Sequence, residues 1–407
     1  MSKIFLIIVS AVLLIDILWW LAADRAFRKL RKSWLWRSLL ACFMAGQFAT
    51  VCWIFAARLW EQQGLSAPPQ FLTSVTFLWH LLILPMTLLL SVVGARLGWL
   101  ASRVYKVWRR SSLPEKSEQK ESSDPILSVA TTRRQFLTAL TVAAPPLITI
   151  VSAKYALSQL QELRVRSIQV PVPNLPSDLE GLRIALVSDM HVGTYTHGPA
   201  LKRISEETSK LNADFVLLPG DLINTTLTDL SAAIEAVGDM QSKQGVFLSL
   251  GNHDLIDNGS EFISRVRARL PLLIDETKVL NIRGQPVELL GLPWHTRSDA
   301  MEASVKSLSA KANPDAFPIL LAHHPHAFDS AARAGIPLTV SGHTHGGQLM
   351  INEAIGAGPL LFRYWSGLYR KPENDNAALV VSNGAGHWFP LRTSAPAEIV
   401  NITLHRA

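Results

Sequence analysis

Five apolar runs beyond residue 180 of this chain end alike, each stopping on Asp, His or Asn where a buried strand should meet solvent. Val187-Ser188-Asp189-Met190-His191 closes the first and Leu218-Pro219-Gly220-Asp221 the second. Ser249-Leu250-Gly251-Asn252-His253-Asp254 closes the third, and Leu320-Leu321-Ala322-His323-His324 and Val340-Ser341-Gly342-His343-Thr344-His345 the last two. Runs of roughly four to eight residues rich in Val, Ile and Leu, with polar residues at their carboxyl ends, read as core strands that deliver ligands to one rim of a sheet. Oxygen and nitrogen donors gathered there without a cysteine suit one or two divalent ions such as Mn, Fe or Zn. Magnesium alone would not call for so many histidines.

The charge balance limits what that rim can serve. A net charge of +7 looks like a nucleic-acid signature, but 17 Lys+Arg stand against 7 Asp+Glu in residues 1–134, and 22 against 25 in the remainder. The basic excess is juxtamembrane, and the slightly acidic remainder argues against a nucleic-acid partner. Cys42 and Cys52 both fall in an apolar segment. Neither a disulfide framework nor thiolate ligation of metal is implied for the soluble part.

The first 110 residues read as a transmembrane helical module of about three spans. Ile4 to Ala23 is the first, with Trp19-Trp20 near one interface and Arg25, Arg28, Lys29, Arg31, Lys32 and Arg37 just beyond it. The second runs from Ser38 to Trp60 and the third from Phe71 to Leu90, and Glu61 to Gln70 between them lacks Lys and Arg. Asp16 within the first span is either a functional carboxylate or an acid paired locally. His80 lacks a second histidine with which to hold a haem. Residues 111–135 read as a polar linker, and 136–160 as a fourth apolar segment preceded by Thr132-Arg133-Arg134-Gln135-Phe136-Leu137, which resembles a twin-arginine export signal. Positive-inside bias puts the two basic loops in the cytoplasm. If Phe136 to Ala153 crosses, the soluble domain lies outside an inner membrane, in the periplasm or extracellular space. If it stays on the surface, the domain is cytoplasmic.

The remainder, residues 161–407, alternates strands and helices. Strands are expected at Val165–Val172, Leu182–Asp189, Phe215–Asp221, Gly245–Leu250, Val279–Ile282, Val287–Leu292, Phe317–Ala322, Leu338–Ser341, Ala378–Ser382 and Glu398–Leu404. Helices are expected at Pro199–Leu211, Thr228–Met240 with Thr228 or Asp229 as cap, Ser260–Leu270, Ala300–Ala312 and Ala327–Ala334. This order suggests a layered α/β domain with two sheets.

Asp189-x-His191, Gly220-Asp221, Gly251-Asn252-His253-Asp254, His323 and Gly342-His343-Thr344-His345, in this order, resemble the calcineurin-like metallophosphoesterases. The Gly342 to Gln348 run and the membrane attachment are most similar to the bacterial YkuE-type branch. The resemblance implies a four-layer fold of two mixed β-sheets flanked by helices. It also implies two divalent metal ions that clamp a phosphoryl group while metal hydroxide attacks it. Carried over, Asp189, His191 and His345 would bind the first metal, Asn252, His323 and His343 the second, and Asp221 both. His253 would protonate or steady the leaving oxygen. The family often has Asp three residues after the bridging Asp to support that histidine, where this chain has Asn224. His324 beside His323 leaves a register ambiguity, and His295, His326 and His387 could reach the rim. The expected activity is hydrolysis of a phosphodiester or pyrophosphate, with a lipid-linked envelope precursor as the favoured substrate. The alternative is a membrane sensor or transport-associated protein using the same fold as a binding module.

Overall fold

The computed structural model describes residues 3–28, 33–59, 66–112, 126–371 and 374–407. Its contacts divide the chain into two compact units, Met1–Tyr155 and Ala156–Ala407.

The first unit is helical: α1 (Lys3–Phe27), α2 (Ser33–Leu59), α3 (Gln70–Leu78), a π-helical turn (Trp79–Ile83), α4 (Leu84–Ser112) and α5 (Ile126–Gln159). Among the described residues, Ser33–Ala57, Gln70–Trp108 and Leu140–Gln159 are long and apolar enough to cross a membrane. α4 continues to Ser112 and α5 begins at Ile126, while residues 113–125 of the expected linker lie outside the described residues. Pro145 and Pro146 lie inside α5, where the Thr149 hydroxyl donates to the Pro145 carbonyl at 2.8 Å.

Asp16 is fully buried in this unit. Trp79 Nε1–H donates to its Oδ1 at 2.8 Å, and His80 Nε2 lies 2.7 Å from its Oδ2. His80 Nδ1 faces the Thr76 carbonyl at 2.8 Å, which can only accept, so Nδ1 carries hydrogen. A carboxylate from α1 is thus the partner of His80, at the one turn where the helix widens to a π step.

The second unit has the strands β1 (Leu163–Val172), β2 (Arg183–Leu186), β3 (Phe215–Pro219), β4 (Val246–Ser249), β5 (Glu276–Ile282), β6 (Gln285–Gly291), β7 (Phe317–Leu321), β8 (Leu338–Ser341), β9 (Met350–Asn352), β10 (Ile355–Gly356), β11 (Gly367–Lys371), β12 (Asn374–Val381) and β13 (Ala397–Arg406). Its helices are α6 (Pro199–Lys210), α7 (Leu230–Gly238), α8 (Gly259–Arg267), α9 (Ser298–Lys311), α10 (Ala327–Arg333) and the short α11 (Ala357–Leu361). One sheet has the order β1-β13-β2-β3-β4, the other β11-β12-β8-β7-β6-β5, and β9 pairs with β10 in a hairpin. Both large sheets mix parallel and antiparallel pairs.

Side-chain alternation builds the layers. In β3, Phe215 and Leu217 enter a core shared with Ile319, Leu321, Val340 and Val380 of the other sheet. Val216 and Leu218 face the opposite way, onto Leu201 and Ile204 of α6, Ala233 and Val237 of α7 and Phe262 of α8. Leu320 of β7 packs outward against Val305 and Leu308 of α9 and Ala331 of α10. The result is helix, sheet, sheet, helix, the four layers expected of a chain whose parallel strands are apolar on both faces.

The ligand-bearing strands are shorter than their apolar runs, since β2 stops at Leu186, β3 at Pro219 and β4 at Ser249. The chain leaves the ladder before it reaches the polar residues. Two details differ from the sequence expectation. Thr226 caps a 3-10 turn at Leu227–Asp229, its hydroxyl accepting from Thr228 N–H, while Asp229 makes no side-chain cap to α7. The β5–β6 turn has only Arg283 and Gly284, both at positive φ, where a longer connection is expected.

Candidate functional site

The carboxyl ends of β2, β3, β4, β7 and β8 converge on one rim, as in open α/β sheets that bind ligands beyond their strand ends. Asp189, His191, Asp221, His323 and His345 are buried there, with Asn252, His253 and His343 partly open. Asp189, His191 and His345 form one group of potential ligand atoms, His191, Asp221 and His253 a second, and Asp221, His323 and His343 a third. Asp221 belongs to two of them. Its Oδ2 lies 3.5 Å from His191 Nε2 and 3.1 Å from His323 Nε2, so one carboxylate oxygen stands between two halves of the site. In the first half His345 Nε2 is 3.0 Å from His191 Nε2 and 3.5 Å from Asp189 Oδ1. In the second, His323 Nε2 is 3.1 Å from Asn252 Oδ1 and 3.2 Å from His343 Nδ1.

The backbone is bent for this purpose. Asp189, His191, Asp221, His343 and His345 all have φ between 43° and 72°. Such conformations cost an L-residue about 1–3 kcal/mol each and persist where surrounding structure enforces them. Close approach helps enforce them: a Cβ on Gly251 would overlap the Asp221 carboxylate, and one on Gly342 would overlap Asp189 Oδ2. Asp254 is the other constraint. Its Oδ2 accepts from Asp221 N–H at 3.0 Å and Gly251 N–H at 2.9 Å, and its Oδ1 from Leu222 N–H at 2.8 Å. It joins the turn after β3 to the turn after β4.

These residues fit a metal centre. His323 Nδ1 donates to the Pro219 carbonyl at 2.8 Å, which fixes the tautomer with Nε2 facing inward, the outer-partner arrangement typical of ligating histidines. Burial pushes His191 down to about 3, keeping its imidazole neutral and available, and pushes Asp189 up to about 6. Burial opposes charge on His323 as well, but the Asp221 carboxylate outweighs it and holds His323 up to about 9. A ligating Nε2 must surrender that proton. Loading the metal-free protein with Mn at pH 7.5 is therefore expected to release about one proton from His323, with affinity rising tenfold per pH unit until pH about 9. Titration calorimetry in buffers of different ionisation enthalpy measures it, and zero release would show that His323 is either not a ligand or already neutral before the metal binds.

His253 is oriented by the main chain. Its Nδ1 lies 2.6 Å from the Asn224 carbonyl oxygen, an acceptor only, so Nδ1 carries hydrogen and Nε2 is left to exchange a proton. The loss of an Asp side chain at 224 therefore does not free the ring. His253 N–H also donates to Asp221 Oδ1 at 2.8 Å.

The other histidines part ways. His323, not His324, shares the group with Asp221 and His343, while the His324 ring stacks 4.7 Å from that of His343. His326 packs on His324 at 4.6 Å, and His387 is buried with Nε2 3.1 Å from the Leu160 carbonyl. Trp294 stands 5.3 Å from the His343 ring, while His295, the next residue, is partly buried. Arg392 has no sequence signal: it is fully buried, donates to the Asn383, Ala395 and Gly386 carbonyls, and places Nη2 3.1 Å from His345 Nδ1.

Residues 182–347 match the family described as calcineurin-like phosphoesterase. The chain carries a calcineurin-like metallophosphoesterase domain. It is similar to a transmembrane protein with metallophosphoesterase domain from Danio rerio, 32% identical over 64% of this chain and 62% of that protein. It is also similar to an uncharacterized metallophosphoesterase of Campylobacter jejuni, at 30% over 60% of this chain and 64% of the relative. The matches span a little under two thirds of these two relatives. The UDP-2,3-diacylglucosamine pyrophosphatase LpxG of Chlamydia trachomatis is 25% identical over 64% of this chain and 94% of its own. Members of this family use divalent metals, and the metallophosphoesterase domain presents Asp and His clusters able to hold them.

Proposed function

We propose that this chain is a membrane-anchored phosphoesterase that cleaves phosphodiester or pyrophosphate bonds of lipid-linked envelope substrates. The observation that carries the reading is the position of Asp221 Oδ2 between His191 and His323, which makes one carboxylate common to two ligand sets. Asp189, His191 and His345 would hold one ion and Asn252, His323 and His343 the other, with Asp221 shared. Two such ions, Mn, Fe or Zn, would supply Lewis-acid charge to the phosphoryl oxygens and an activated water. His253 Nε2 holds a proton for the departing oxygen, and its Nδ1–H anchor to Asn224 sets the angle of delivery. The mixed imidazole and carboxylate donors suit ions of intermediate hardness.

The pyrophosphatase relative acts on a diacylated nucleotide sugar, as its name states, and supports a substrate of that class. Attachment to apolar helices would keep the domain near lipid-linked phosphoesters at high effective concentration. Residues 1–110 would form the membrane module and 161–407 the hydrolase. We place the protein in a bacterial inner membrane with the domain on the outer face, on the reading that residues 136–153 complete a fourth crossing.

Full-length protein in detergent is expected to hydrolyse bis-p-nitrophenyl phosphate with added Mn and to lose at least about 99% of that rate with chelator. Well-folded, metal-loaded protein with no turnover of mono- or diesters would sink the hydrolase reading.

A further inference from the structure

The mouth of the metallophosphoesterase site has an apolar rim. After β8 the chain enters the β9–β10 hairpin and α11, where Ile351 is 79% exposed, Leu360 83%, and Ile355 and Leu361 are exposed with them. Phe362, directly after α11, sets its ring 6.2 Å from that of His343. Leu255 and Ile256 are exposed just beyond Asn252-His253-Asp254, and Trp388, 42% exposed, lies 6.2 Å from the His253 ring. Folded surfaces normally scatter large aliphatic groups singly, and their concentration on segments adjoining a polar cleft marks an interaction site.

The same ligand must satisfy both parts. The floor of His, Asp and Asn calls for a phosphoester, while the rim calls for hydrocarbon beside it. A protein partner seated on the rim would seal the mouth, whereas a lipid leaflet would feed it. Arg363, two residues beyond Leu361, pairs with Asp329 at 3.5 Å through Nη1, and its side chain, 63% exposed, leaves further guanidinium N–H groups to meet the phosphates of anionic headgroups. Glu353 in the hairpin turn reaches Arg164 at 4.0 Å, which offsets its charge.

We propose that Ile351 to Leu361 is a leaflet-docking lip: Ile351, Ile355, Leu360 and Leu361 enter the acyl boundary of a lipid leaflet and hold a lipid headgroup phosphoester at the metal centre. This rests on the hydrolase reading for the identity of the bond, but docking itself is measurable without turnover.

The test uses full-length protein in phosphatidylglycerol–phosphatidylcholine nanodiscs, with Cys42→Ser and Cys52→Ser and a bimane label at Leu360→Cys. A side chain ~5–10 Å into the leaflet is quenched by lipids brominated in their acyl chains, and about twofold or greater loss of fluorescence is expected. The same label at Lys278→Cys, on exposed strand β5, is expected to stay bright. Equal fluorescence at both positions overturns the lip and moves the rim to a protein partner or to none. Kinetically, Ile355→Ser/Leu360→Ser/Leu361→Ser should raise KM for p-nitrophenyl dodecyl phosphate about tenfold and leave bis-p-nitrophenyl phosphate unchanged. Loss on both esters alike, or on neither, counts against the lip. Absence of wild-type turnover of both esters would sink the hydrolase reading alone, and the quenching result would still decide the lip.

Discussion

Asp221→Asn is expected to lower kcat for bis-p-nitrophenyl phosphate by on the order of 10³-fold or more, well beyond the 10–100-fold typical of losing an outer partner of a ligand. Asn preserves the shape, and its amide oxygen can still accept from His253 N–H as Oδ1 does at 2.8 Å. The atom between His191 and His323 is then an NH2 group, which has no lone pair to offer either half of the site. A negative charge also disappears beside His323, removing the attraction that holds that imidazole protonated in the metal-free protein. Metal analysis should show fewer than two ions per chain after dialysis. A variant that keeps both ions and more than a tenth of the rate would show that Asp221 is not shared.

His253→Ala should separate chemistry from metal binding. The ring is anchored through Nδ1 to the Asn224 carbonyl and contributes Nε2 to the cleft, so its loss should cost about 10²–10⁴ in kcat with metal content unchanged. The penalty depends on the leaving group. p-Nitrophenolate departs without much help, so the loss should sit at the low end for bis-p-nitrophenyl phosphate and at the high end for an alkyl diester. Equal losses on both esters would point to a structural or metal-holding role, which the proximity of His253 to His191 and Asp221 also permits geometrically.

The donors at the strand ends are legible in sequence because an apolar run that stops on Asp or His leaves no other economical arrangement: the run must be buried and the polar group must face the rim. Phe215 to Asp221 illustrates it, with every residue of the run buried and the carboxylate emerging at its end. What supports those donors is not legible. The Asn224 and Pro219 carbonyls orient two histidines, yet a backbone oxygen carries no residue signature. Arg392 reaches His345 from a loop without periodicity, and Asp254 acts on backbone N–H groups of the turn after β3, some thirty residues earlier in the chain. Asp16 and His80 meet only because α1 packs beside the π turn, a contact between residues 64 apart. The β9–β10 hairpin and α11 escape for a different reason: short elements with exposed aliphatic groups violate the binary pattern by which strands and helices are recognised.

The last strand of the chain has a bearing on biosynthesis. β13 lies between β1 and β2, parallel to the first and antiparallel to the second, and among the described residues β1 has no other ladder partner. The strand that opens the domain therefore waits for Ala397–Arg406, far later in the chain, before its ladder hydrogen bonds can form. Synthesis proceeds at about 5–20 residues per second, so the apolar amino-terminal helices have emerged many seconds before this sheet can close. Contacts of such sequence separation are slow to form. The sheet closes only once Ala397–Arg406 has been made, and loss of that strand would strike the middle of the sheet rather than its margin.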